Sequence, residues 1–185
     1  LSQELNVQNK PYAIIHGTYQ AEAERDCSFR DGRVHVVYAG TFDPRKGGAA
    51  AAASAEFLDD RYHIHIIGFG SESDKRSLLT LLDTISTRTK CRVTYDGWLV
   101  GEEYIDFVQS GDIGLSTQRL GAEFNETSVP SKVLSYMANG LRVVSIRLKA
   151  LEESEVGDLL FYYEEDTPGA IAEAVESINV DKPHD

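Results

Sequence analysis

VHVVYAGTFDPRKGGAAAAASAEFLDDRYHIHIIGFG, residues 34–70, decides the fold. Val34 to Ala39 reads as a buried strand, closed by the Gly40-Thr41 turn. Gly47 to Leu58 reads as an alanine-rich helix, whose small side chains let it lie close on a sheet. Tyr62 to Ile67 reads as the next strand, ending at Gly68-Phe69-Gly70. A strand, a helix and a second strand in this order form a βαβ unit. Such a unit implies a parallel sheet and a right-handed crossover.

The same alternation continues along the chain. Asp74 to Thr87 carries leucines at helical spacing, and Cys91 to Tyr95 is a strand stopped by Asp96-Gly97. Glu102 to Gln109 is a short helix with two glutamates in its first turn, where they suit the helix dipole. Ile113 to Leu115 is a short strand. A loop, a helix opening at Pro130 and the strand Arg142 to Ile146 follow. Leu159 to Tyr163 reads as another strand, and Pro168 to Ile178 as a closing helix with Thr167 as N-cap. The expected architecture is α/β: a Rossmann-like, three-layer α/β/α domain with a mostly parallel sheet over residues 34–180. Residues 1–33 form a less regular lead-in, in which Tyr12 to His16 reads as one strand packing on the domain.

Composition narrows the function. The chain has 185 residues, 42% hydrophobic and 26% charged, as in an ordinary soluble domain. Its formal net charge of −12 argues against a nucleic-acid partner, since phosphate backbones need clustered Lys and Arg. A local positive site can still hold a small anion. No apolar run is long enough to cross a membrane. Cys27 and Cys91 are far apart without metal-type spacing, and read as free thiols of a reducing, cytoplasmic compartment. The single methionine is Met137, so Leu1 is not a natural start and the chain reads as a piece of something longer.

Ligands of open parallel sheets bind beyond the carboxyl ends of the strands. This sequence places Gly40, Thr41, Arg45 and Lys46 there, with Gly68 and Gly70, Gly97 and Trp98, and the helix start Pro130-Ser131-Lys132. Pro130 suits a first helical turn, and the N–H groups of Ser131, Lys132 and Val133 are expected to face an anion. A lysine at a helix start without an anion is unfavourable, which points Lys46 toward a ligand. His63 and His65 share one strand face but show no acidic or cysteine partner in the sequence. They read as core or surface histidines, and no metal is expected.

Taken together, VVYAGTFDPRKGG, HIIGFG, VTYDGW, SGDIGLS and N…VPSKVLSYMANGLRVVS resemble the C-terminal, donor-binding domain of GT-B-fold glycosyltransferases, the retaining family 4 type above all. The resemblance runs from about Val34 to Asn179. It implies one half of a GT-B fold, which grips a nucleotide-diphosphate sugar against a separate N-terminal acceptor domain absent here. It implies no cofactor and no metal, since positive groups and helix dipoles stabilise the leaving diphosphate. Any membrane association would come through the absent domain.

By the same resemblance, Gly40 approaches the diphosphate and Lys46, the catalytic residue, neutralises it. Gly68 and Gly70 line the nucleotide pocket, and Asp96 and Trp98 flank the base. Ser131, Lys132 and Val133 face the diphosphate, and Asn125 matches a subgroup reading Asn…Pro-Ser-Lys. This sequence also departs from the pattern. Thr41 stands where many members carry arginine, and Thr127 and Ser135 stand at the two glutamate positions that contact sugar and ribose. Glu123 and Glu126 lie near the first of these as sugar contacts. Two other readings stay open: a non-catalytic module of the same fold, and a dinucleotide-binding domain. For the latter, Gly68-Phe-Gly70 starts a G-x-G-x-x-G pattern that breaks at Ser73, with Asp96 in reach of a ribose.

Overall fold

The computed structural model describes residues 19–119 and 129–181. Six strands form one parallel sheet in the order β3-β2-β1-β4-β5-β6. They are β1 (Val34–Thr41), β2 (Tyr62–Phe69), β3 (Arg92–Gly97), β4 (Ile113–Ser116), β5 (Arg142–Ile146) and β6 (Phe161–Tyr163). The helices are α1 (Gly48–Ala53), α2 (Glu72–Ser86), α3 (Gly101–Gln109), α4 (Ser131–Ala138), α5 (Lys149–Glu152) and α6 (Pro168–Glu176). This is the doubly wound, Rossmann-like order, in which the chain starts at the centre and winds outward both ways.

Burial explains the strand sequences. Val36, Val37, Tyr38, Ile64, Ile66, Ile113, Leu115, Val144 and Ile146 are almost wholly inaccessible. Helices cover both faces, so the strands read as continuous apolar runs instead of alternating ones. On one side α1 packs against both α2 and α6. On the other side α3 and α4 are joined by the Tyr104 and Ser135 hydroxyls, 3.2 Å apart.

Local chemistry sets the boundaries. The Ser71 hydroxyl accepts from Asp74 N–H and starts α2 two residues before the leucine pattern suggests. The Thr167 hydroxyl accepts from Ala170 N–H at 3.2 Å, the expected cap of α6. The alanine-rich helix is shorter than expected. Its α-helical part ends at Ala53, where the Ser54 hydroxyl bonds back to the Ala51 carbonyl and a 3₁₀ turn, Ser54–Phe57, takes over. The strand expected from Leu159 starts at Phe161, after a 3₁₀ turn.

The centre of the sheet opens at one end. β1 and β4 pair only at Val36↔Ile113 and Val37↔Gly114, then diverge. The Ala39 N–H is left without a strand partner and donates instead to the Tyr136 hydroxyl of α4, at 2.6 Å. Beyond that point Ala39, Gly40 and Thr41 face open space between two diverging strands.

Candidate functional site

That divergence is the start of a cleft. Its larger part, about 740 Å³, is lined by Gly40 and Thr41 from β1, Lys46 from the following turn, and Tyr104 from α3. Gln118, after β4, and Pro130, Ser131, Lys132 and Ser135 at the start of α4 complete it. A smaller part, about 220 Å³, shares Gly40, Thr41 and Tyr104 and adds Gly68, Phe69, Trp98 and Leu99. The two parts meet at the end of β1, so one continuous groove crosses the switch point of the sheet.

Lys132 dominates the larger part. Its Nζ is buried and has no hydrogen-bond partner among the described residues. The ammonium lies 4.1 Å from the centre of the Tyr38 ring, and a Cβ added to Gly40 would sit 3.1 Å from it. Burial, reinforced by the nearby charge of Lys46, lowers its pKa from 10.5 to about 7. A desolvated, unpaired cation is costly, and an anion in the cleft would remove most of that cost. Lys46 lines the same space, whereas the neighbouring Arg45 is held by Asp43. The Tyr38 hydroxyl lies 3.1 and 3.0 Å from the Thr41 and Lys46 carbonyls and shares its one hydrogen between them, which fixes the turn that carries Lys46.

Two glycines make this geometry possible. Gly47 has φ +80°, and a Cβ there would stand 1.5 Å from the Thr117 carbonyl oxygen. Gly68 has φ +138° and faces the Gly40 carbonyl across the β1–β2 register, where a Cβ would come within 1.8 Å. The turn after β1 is also tied to the chain leaving β4. The Thr117 hydroxyl donates to the Gly47 carbonyl at 2.9 Å, and Arg119 N–H to the Arg45 carbonyl at 3.2 Å.

The smaller part offers aromatic surface. Trp98 and Phe69 are 64% and 51% exposed, with ring centres 5.1 Å apart. Apolar rings that exposed, on the rim of a groove, form a stacking platform.

The structure brings Gly40, Thr41, Lys46, Gly68, Trp98, Ser131, Lys132 and Ser135 to this groove. It does not bring three other expected residues there. The Val133 N–H is spent on the Pro130 carbonyl at 3.0 Å and its side chain is buried, so only Ser131 and Lys132 keep amides without an intrahelical acceptor. Gly70 packs against Phe42, where an added Cβ would come within 2.8 Å of the Phe42 Cβ and 3.2 Å of its ring. Asp96 faces inward and accepts hydrogen bonds from His65 and Thr94, at 3.0 and 2.7 Å. One oxygen of the carboxylate that a dinucleotide reading turns to a ribose is thus spent inside the protein. The reading of His63 and His65 as histidines without an acidic partner is corrected by the same contact. Asn125, Glu123, Glu126, Thr127 and the strand at Tyr12 to His16 lie outside the described residues.

Sequence reasoning missed Tyr38, Tyr104 and Gln118. Tyr104 had a usable signal: it lies in the first turn of a helix that directly follows the end of β3. Tyr38 sits inside a strand run and gives no sign of its reach.

A family model described as "Glycosyl transferases group 1" matches residues 33–181. No curated protein matches the chain. Among solved structures, the C-terminal domain of the glycosyl transferase group 1 family protein LpcC from Francisella tularensis is similar at TM-score 0.61 and 15% identity. The match covers 79% of this chain and 75% of that one. HepE of Anabaena, in complex with UDP and glucose, is similar at TM-score 0.62 and 13% identity, over 79% of this chain but only 38% of that one. The catalytic domain of cholesterol-alpha-glucosyltransferase from Helicobacter pylori is similar at TM-score 0.56 and 9% identity, over 78% of this chain and 85% of that one. At these identities the likeness shows the fold alone, the one these glycosyltransferase structures share.

Proposed function

This chain belongs to the glycosyl transferases group 1 family, and from that premise we propose that it is the domain that binds a nucleotide-diphosphate sugar. The buried ammonium of Lys132 in the cleft, unpartnered among the described residues, carries the reading. The diphosphate sits between Lys132, Lys46 and the amides at the start of α4, and the base lies toward Phe69 and Trp98. Ser135, already bonded to the Tyr104 hydroxyl, and the Gln118 side chain meet the ribose or sugar.

In transfer, negative charge grows on the leaving diphosphate as the glycosidic bond to it breaks. Two lysines and a helix N-terminus fixed beforehand stabilise that charge without reorganising. A divalent ion is not needed for this step. The acceptor comes from the partner domain of the same enzyme, and the sugar keeps its anomeric configuration. Ser135 favours a second reading: a hydroxyl holds a ribose less firmly than a carboxylate, which suits a module that binds without turning over.

Calorimetric titration with UDP, UDP-glucose and other nucleotide sugars tests the first reading. UDP comes first because HepE, of the same fold, was crystallised with it. Saturable binding, unchanged by magnesium and weakened by Lys46→Ala, is the expected result. No binding at millimolar ligand would end the proposal. Transfer by the full-length enzyme, with the product anomer read by NMR, separates enzyme from module.

A further inference from the structure

Away from the cleft, the sheet face beneath Phe29 holds His35 of β1 with His63 and His65 of β2, all at most 4% exposed. The β1–β2 register sets His35 directly beside His63. One ring nitrogen of each histidine lies within 4.8 Å of the others. The Phe29 ring stacks on His35 and His65, with centroids 4.2 and 4.6 Å away.

The surrounding hydrogen bonds decide where the protons are. His35 Nε2 is 2.8 Å from an Asp31 carboxylate oxygen, so Nε2 carries the proton and Nδ1 is bare. His65 Nδ1 is 3.0 Å from Asp96, which leaves its Nε2 turned to His35. The Thr94 hydroxyl has one hydrogen, given to Asp96 at 2.7 Å, and therefore accepts from His63 Nε2–H at 2.9 Å. His63 Nδ1 is then bare too, and it is buried without a partner among the described residues. His35 Nδ1, His63 Nδ1 and His65 Nε2 are thus the ring nitrogens not turned to Asp31, Thr94 or Asp96, on one dry sheet face. His35 Nδ1 and His65 Nε2 face each other at 2.9 Å, a hydrogen bond only where one of them holds a proton.

A cation resolves this arrangement. A single shared proton would bridge His35 and His65 but leave His63 unpaired, whereas a metal ion takes all three. Nitrogens bound tetrahedrally to zinc at 2.0–2.1 Å are about 3.3 Å apart, and one nitrogen of each ring here stands within 4.8 Å of the others. The carboxylates behind His35 and His65 are the usual orienting partners of metal-bound imidazoles. Asp31, Asp96 and Asp112 bring negative charge to the cluster, while burial and Arg92 act against a proton on His35 and His63 and keep those rings neutral, the form in which imidazole binds a metal.

We propose that His35, His63 and His65 bind one divalent transition-metal ion, zinc by ligand chemistry, with Asp31 and Asp96 holding two of the rings in place. Imidazole nitrogens select such ions over magnesium or calcium. The ion clips β1 to β2 and anchors the segment around Phe29 to the sheet. It plays no part in the cleft, and the site does not depend on the sugar-transfer reading.

The test uses the untagged chain, stripped with chelator and then titrated with zinc and with cobalt(II). The expected result is one equivalent bound per chain, visible ligand-field bands with cobalt and a higher melting temperature with zinc. His63→Gln should abolish binding. Asp96→Asn leaves all three ligands in place and should weaken it roughly 10–100-fold. If His63→Gln does not fold, nitrogen-15 shifts of the wild-type imidazoles decide, because zinc must move all three rings. Absence of stoichiometric binding, or imidazole shifts that report only a proton shared by His35 and His65, overturns the proposal.

Discussion

Replacing Lys132 by methionine should stabilise the free domain and weaken its ligand at the same time. The Lys132 ammonium is buried, unpartnered among the described residues, and lowered in pKa from 10.5 to about 7. At about 1.36 kcal/mol per unit, holding it in the folded state near pH 7 costs roughly 4 kcal/mol. Methionine keeps the length of the side chain without the charge. Allowing for the lost contact with the Tyr38 ring, Lys132→Met should gain about 2–4 kcal/mol in urea unfolding near neutral pH. Binding moves the other way. A charge-assisted contact to phosphate contributes about 2–3 kcal/mol, so UDP affinity should fall on the order of 30–150-fold. The pH dependence gives a second check. From about pH 7 to 10.5 the unfolded chain holds the lysine proton and the folded chain does not. Wild-type stability is therefore penalised fully below pH 7, and the penalty disappears as pH rises. The gap between variant and wild type should be widest in acid and close toward pH 10.5. A variant less stable than wild type at pH 7, with UDP affinity within threefold, would refute the reasoning.

Three further outcomes follow from the geometry. UDP should draw a proton onto Lys132 above pH 7, so its affinity should fall as pH rises from 7 to 9; calorimetry in buffers of differing ionisation heat reads the uptake directly. Gly47→Ala should cost more than about 3 kcal/mol in urea unfolding, because the new methyl group collides with the Thr117 carbonyl at a backbone φ of +80°. Trp98→Ala should leave stability within about 0.5 kcal/mol, since the ring is mostly exposed, yet weaken UDP roughly 3–10-fold by removing stacking surface.

The strands and the closing helix were legible because their signals are local. Val34 to Ala39 is a run that only a doubly covered strand tolerates, and Thr167-Pro168 marks a helix start by its own chemistry. The helix after β1 was overextended because an alanine run carries no stop signal, while the Ser54 hydroxyl that ends it acts through backbone geometry. The cleft was legible as a rim of turns, but not as a set of side-chain directions. Lys132 was read for its amide, and its ammonium proved the stronger feature because Tyr38, on another element, receives it. Val133 was overrated because a 3₁₀ bond at the first turn cannot be read from residue types. The histidine cluster was out of reach, since it exists only once β1, β2 and β3 are in register and Thr94 and Asp96 stand beside His63 and His65.

The contacts between the turn after β1 and the exit of β4 carry an evolutionary consequence. Gly47 admits no side chain because the Thr117 carbonyl stands in its place, and Thr117 in turn bonds back to Gly47. Arg119 repeats the tie one step further, through its amide to Arg45. The two lips of the groove, some seventy residues apart in the chain, are thus inherited as a single part. A change at one lip should survive only with a compensating change at the other. On the proposed donor-binding reading, preference among donors is freer to drift through the side chains of Phe69 and Trp98, which are mostly exposed.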